Sequence, residues 1–175
     1  MDCLAPSYYR IYNFKNKIMN PKIGIREEDL AGVAQAMCKI LADEFVLYTK
    51  TKKAHWNVEG ANFHSMHLFF ETQYQVLDEI VDSVAERIRT LGHYAPGSLK
   101  EFLSLTQLSE QSREKNDSMG YIRELLADHE SILILLRENI KKFDSVWSDL
   151  GTSDYSTGLL ETHEKMAWML RSHLK

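Results

Sequence analysis

Apolar residues recur at three- and four-residue steps early in the chain: Leu30, Val33, Ala34, Met37, Ile40, Leu41, Phe45 and Tyr48, with one interruption at Glu44. That period predicts an amphipathic helix over 26–57, opened by Glu27, Glu28 and Asp29 at the positive end of its dipole and ended before Gly60. A second helix is predicted over 63–91, with Asn62 as its N-cap and Gly92 as its stop. The stretch 92–118 is rich in turn formers and holds one short apolar segment, 99–105, read as a small helix. The pattern resumes at Ile122, Leu125, Leu126, Ile132, Leu133, Leu136 and Ile140, predicting a helix over 119–146. Gly151 breaks it, and a last helix is predicted over 153–173. No β-alternation of useful length occurs. Four long amphipathic helices with one long connection in the middle predict an all-α four-helix bundle over 26–175, preceded by a tail over 1–25.

Composition narrows the picture only a little. With 175 residues the chain makes one domain, and its net charge of −4 excludes a general polyanion binder. Cys3 and Cys38 are too few for a disulfide framework, which favours a reducing compartment. Cys38 reads as a small core residue, and Cys3 as a tail thiol. No apolar run is long enough to span a membrane, and no secretory signal is evident.

The second helix carries the chemistry. Met66, Phe70, Gln73, Leu77, Ile80, Val81, Val84, Ile88 and Leu91 form its core stripe. Opposite them lie His67, Glu71, Gln75, Asp78, Asp82 and Glu86. A solvated face would also be polar, and spacing alone leaves that reading open. Three features point further. The face is one-signed, with four carboxylates and no Lys or Arg, and like charges one turn apart repel. A histidine heads it, and His55 lies just upstream at the end of the first helix; imidazole with carboxylate is a ligand set for iron or zinc. Trp56, Phe63, Leu68 and Phe69 surround these histidines, although exposed faces are seldom so apolar.

His67 and Glu71 lie one turn apart, as do Asp82 and Glu86. The two pairs are separated by roughly 22 Å of helix, too far to share an ion within one chain. Two such helices packed antiparallel about a two-fold axis would bring the pairs together, and the isologous contact would create the site twice. The Glu-x-x-His motif of intrasubunit di-iron bundles is absent.

The stretch Lys53-Ala54-His55-Trp56-Asn57-Val58-Glu59-Gly60-Ala61-Asn62-Phe63 is followed by His67 and then by Asp82-Ser83-Val84-Ala85-Glu86-Arg87. Near the end come Thr162-His163-Glu164-Lys165 and Trp168-Met169-Leu170-Arg171. This combination resembles the Dps family, the miniature ferritins, over about residues 26–175.

The resemblance implies a ferritin-like bundle assembled as a hollow dodecamer. It implies ferroxidase activity at two-fold interfaces, with hydrogen peroxide preferred over dioxygen as oxidant, and storage of ferric iron inside. One mono- or di-iron site would be shared between two subunits. His55, His67 and Glu71 would be ligands from one subunit, and Asp82 and Glu86 from its neighbour, with Trp56 beside the site as interface anchor or redox residue. Glu71 stands where the family commonly has aspartate, one methylene shorter. Acidic residues near the start of the last helix line iron-entry pores in the family; Asp154 matches that position and Asp149 lies nearby, although Asp154 also suits a helix N-terminus.

The resemblance further implies a cytoplasmic protein relieving oxidative stress, associated with the nucleoid if DNA is bound. A DNA contact would use the tail, where Arg10, Lys15, Lys17, Lys22 and Arg26 oppose the single acid Asp2 among Tyr8, Tyr9, Tyr12 and Phe14. Twelve tails would add avidity, whereas a dodecamer's charge of about −48 repels phosphate. Two alternatives remain: an architectural DNA-binding shell with little ferroxidase activity, and a shell that binds zinc without redox chemistry. Asp78 reads as an interface or solvated carboxylate. His64, His93, His129, His163 and His173 read as surface or satisfied histidines. Met166 and Met169 beside Trp168 read as packing.

Overall fold

In the computed structural model, which describes residues 19, 21–110 and 114–175, five helices follow one another: α1 (Glu27–Asn57), α2 (Phe63–Thr90), α3 (Leu99–Leu105), α4 (Ser118–Ser145) and α5 (Leu150–Ser172). The basic residues and aromatics predicted for the tail lie outside the described residues up to Lys17, as does Cys3. Of the tail's cations, Lys22 is described and exposed. Arg26 lies against Asp29 at 2.6 Å and Glu28 at 2.8 Å, and is neutralised locally.

α1 and α2 form one helical hairpin, and α4 and α5 the other. The hairpins close on each other with α1 against α4, while α3 lies across α1. Among the described residues the sole β-type pairing is an isolated bridge between Glu59 and Asp117. It ties the α1–α2 turn to the start of α4, with Glu59 N–H donating to the Asn116 carbonyl at 2.9 Å.

Most of the predicted stripes form the core, although Phe45, Tyr48, Val81, Leu133 and Ile140 are only half-buried, and Leu47 and Phe143 join it unpredicted. Leu30, Val33, Met37, Ile40, Leu41 and Leu47 of α1 meet Met66, Phe70, Leu77, Val84 and Ile88 of α2 and Ile122, Leu125, Ile132, Leu136 and Phe143 of α4, all nearly inaccessible. Each such side chain contributes about 1.5–3 kcal/mol by leaving water. Cys38 is buried among them, and burial with the nearby Glu101 charge pushes its thiol pKa up to about 12.

Helix ends show where local chemistry differs from the expected reading. Gly92 does stop α2, in the left-handed conformation with φ +84°, which a residue without Cβ adopts freely. Asn62 stands at the N-cap of α2 but does not cap it. Its amide is spent on the Ser118 hydroxyl of α4, at 2.9 Å, so it joins the hairpins instead. α5 starts three residues earlier than predicted, because Asp149 caps it: its carboxylate accepts from Thr152 N–H at 2.9 Å and from the Thr152 hydroxyl at 2.6 Å. Gly151 then falls in the first turn, where a glycine interrupts no completed ladder. α3 carries a full capping box between Ser98 and Glu101.

Candidate metal centre

α1 continues to Asn57 and α2 begins at Phe63, so the short turn places the last turn of one helix beside the second turn of the other. His55 and His67 meet there with ring centroids 3.8 Å apart, nearly parallel. His55 Nδ1–H donates to the His67 carbonyl at 2.9 Å, and His67 Nδ1–H donates to the His55 carbonyl at 2.8 Å. A carbonyl only accepts, so both Nδ1 atoms carry a proton, which leaves Nε2 as the nitrogen of each ring that can take a ligand. The His55 carbonyl belongs to the last turn of α1, where no intrahelical donor reaches it. Each imidazole is thus oriented by the other's backbone, the outer-shell support that metal-binding histidines need.

Glu71 follows His67 by one turn. Its Oε1 accepts from the Tyr74 hydroxyl at 3.3 Å. Tyr74 packs edge-on against His55 at 5.1 Å. Lys52 donates to the Tyr48 hydroxyl at 2.9 Å, and its ammonium lies 5.0 Å from the Tyr74 ring centre and 5.9 Å from that of Trp56. The Tyr48 hydrogen bond foremost, and then the charges of Tyr48, Tyr74 and Asp78, raise the Lys52 pKa against desolvation, which lowers it. Trp56 is 67% exposed. Phe63 and Leu68 are exposed beside it, and Phe63 lies 5.3 Å from the His67 ring.

Asp78, Asp82 and Glu86 are exposed along α2. Asp82 and Glu86 stand far from His67 and Glu71, as helix rise requires. Among the described residues no three His, Cys, Asp or Glu side chains converge on a metal position within the chain. Asp78 and Asp82 border an open groove of about 620 Å³ between α2 and α3, floored by Leu41, Phe45, Ala85 and Phe102. One chain therefore presents two separate half-sets of ligands: a stacked imidazole pair, His55 buried and His67 half-buried, with Glu71, and an exposed carboxylate pair whose Asp82 borders an apolar groove.

The two aspartates at the start of α5 differ. Asp154 is exposed. Asp149 is 2% exposed, and besides Thr152 it faces Arg87 Nη2 at 3.4 Å. Arg87 also donates to the Thr152 hydroxyl at 2.8 Å, so this aspartate builds the α2–α5 junction and leaves Asp154 as the exposed carboxylate there.

A buried polar chain lay outside the residues singled out for chemistry. Glu44 of α1 accepts from His163 Nε2 of α5 at 2.9 Å, and the Nδ1 atoms of His163 and His129 of α4 lie 2.9 Å apart. All three side chains are within the core, and Glu44 Oε2 has no partner. The signal was the break at Glu44 in the apolar run of α1. Burial, and then the neighbouring His163, hold His129 well below the ordinary histidine pKa. Met166, read as packing, is buried and Met169 half-buried, while Trp168 beside them is 62% exposed. Among the described residues no helix is long and apolar enough to cross a membrane.

Comparison with known proteins places this arrangement. The ferritin-like domain model matches residues 34–175. A low temperature-induced protein of Nostoc is 41% identical over 87% of this chain and 86% of its own length. DNA protection during starvation protein 2 of Bacillus anthracis is 31% identical over 81% of this chain and 96% of its own. Among solved structures, DpsC from Streptomyces coelicolor superposes with a TM-score of 0.88 at 28% identity, covering 94% of this chain and 95% of that one. The domain match and the likeness to the B. anthracis and S. coelicolor proteins make this chain a member of the Dps family of ferritin-like proteins.

Proposed function

We propose that this protein is an iron-storing ferroxidase cage whose reactive sites form between two copies of the chain. The observation that carries the reading is the pair of stacked imidazoles whose Nδ1 atoms are both engaged, next to a carboxylate and to exposed aromatic side chains. The name of the B. anthracis relative and the diiron-carboxylate description of the Dps protein from Vibrio cholerae support it. That structure superposes with a TM-score of 0.83 at 29% identity.

Iron is the substrate. His55 and His67 supply neutral nitrogen donors and Glu71 an oxygen donor, a set that suits Fe²⁺. Asp82 of the partner subunit and Glu86 of the partner subunit add two charges that favour Fe³⁺ once it forms. Trp56, Phe63 and Leu68 seat against the groove beside Asp82 in the neighbouring copy, so one contact covers both apolar surfaces and completes two sites. Two ferrous ions give one electron each to hydrogen peroxide, which takes up two protons and leaves as two waters. Paired electron transfer avoids the one-electron cleavage that releases hydroxyl radical, and this would protect DNA. Twelve copies would enclose the ferric product, with Asp154 lining its entry path.

Anaerobic Fe²⁺ loading followed by peroxide, read by ferric absorbance in the near ultraviolet, tests the reading. The His55→Ala/His67→Ala variant should lose the fast phase; parental rates in it would overturn the assignment. A gel shift at two salt concentrations, with and without residues 1–25, tests direct DNA binding, which would weaken steeply with salt.

A further inference from the structure

We propose that Tyr74 is a positioning residue of the metal centre, its hydroxyl fixing the Glu71 carboxylate while its ring braces His55. The inference rests on the reading of Glu71 and His55 as iron ligands. A glutamate carries its oxygens on three rotatable bonds, so an unrestrained Glu71 would present them over a wide arc. Tyr74 lies three residues on, on the same face of α2, and donates to Glu71 Oε1 at 3.3 Å.

The phenol is itself held from three sides by α1. Tyr48 meets its ring edge-to-face at 6.3 Å, His55 does so at 5.1 Å, and the Lys52 ammonium lies over it at 5.0 Å. Lys52 is tied in turn to the Tyr48 hydroxyl. Three consecutive turns of α1 thus aim one hydroxyl of α2 at the carboxylate. The ring is only half-buried, so packing alone gives no reason for the hydroxyl. Outer-shell partners of this kind change metal affinity by about 10–100-fold when removed.

The test uses the full-length assembled protein and Co²⁺, whose visible spectrum reports ligand geometry without turnover. Tyr74→Phe keeps the ring and its three neighbours, and size exclusion checks assembly. It should weaken Co²⁺ binding about 10–100-fold and alter the visible bands. In a Glu71→Gln background the same change should add little, because the carboxylate it positions is gone. Parental affinity and spectrum in Tyr74→Phe, with weaker binding in Glu71→Gln, would overturn the role of Tyr74 and leave Glu71 a ligand. Equal losses in both backgrounds would also overturn it, since Tyr74 would then act independently of Glu71. Parental binding in Glu71→Gln would instead remove Glu71 from the ligand set.

Discussion

His55 and His67 hold each other: their rings stack at 3.8 Å, and each Nδ1–H is spent on the other's backbone carbonyl. The pair is therefore oriented before any metal arrives, and an alanine at either position keeps the backbone carbonyl that holds the other ring while removing one donor and the stacked face. Either single alanine variant should weaken Co²⁺ or Fe²⁺ binding by at least tenfold in titration calorimetry, and the double variant by little more. Additive losses would mean that the two rings bind independently.

The Glu44–His163–His129 chain makes a prediction about acid. The unfolded state takes up a proton at His129 near the ordinary value of 6.5, whereas the folded core, by burial first and the adjacent His163 second, refuses it until much lower pH. Unfolded protein thus binds more protons below 6.5, and folding stability should fall as pH drops through that value toward acid. Above it the group contributes no slope. Denaturant melts from neutral to mildly acidic pH check this, and His129→Leu should flatten the slope.

Removing Glu44 tests the same cluster at neutral pH. Glu44→Leu strands a buried N–H of His163 and should cost about 1–3 kcal/mol in urea melts. It should leave Co²⁺ binding at the His55–His67 pair unchanged.

The aspartates ahead of and within α5 should separate by assay. Asp149→Ala removes an N-cap and the partner of Arg87, and should cost about 0.5–2 kcal/mol of stability. Asp154→Ala lies at an exposed position and should leave the melting curve in place while slowing iron entry, read as the initial rate of uptake.

The sequence made much of this fold legible because helix period and core burial are the same signal. Met66, Phe70, Leu77, Val84 and Ile88 sit where an unbroken 3.6-residue stripe must, and α3 spans the short apolar stretch predicted for it. Helix ends were less legible, since a cap is a competition. Asn62 has suitable chemistry for capping α2, but Ser118 lies 56 residues on and took its amide. Gly151 resembles a breaker until Asp149 is seen to start α5 ahead of it. At the candidate centre, the spacing of His67 and Glu71 was readable because both lie on one helix. The mutual locking of His55 and His67 was not, because it depends on a backbone carbonyl that no side-chain pattern encodes. Tyr74 was missed because it lies to one side of the stripe traced by the carboxylates. Glu44 registered only as a fault in an apolar run, and its partners lie on two distant helices.

The most direct test of the shared site is complementation. One variant lacks the imidazoles (His55→Ala/His67→Ala) and the other lacks the acids (Asp82→Ala/Glu86→Ala). Each should be inactive alone in peroxide-driven iron oxidation. Unfolded together in equal amounts and refolded, they should co-assemble, and each mixed two-fold contact should carry one intact site and one left with Glu71 alone. Random mixing then restores about a quarter of the parental site number. Mixed cages that contain both variants by mass spectrometry and yet oxidise no iron rapidly would contradict a site shared between subunits.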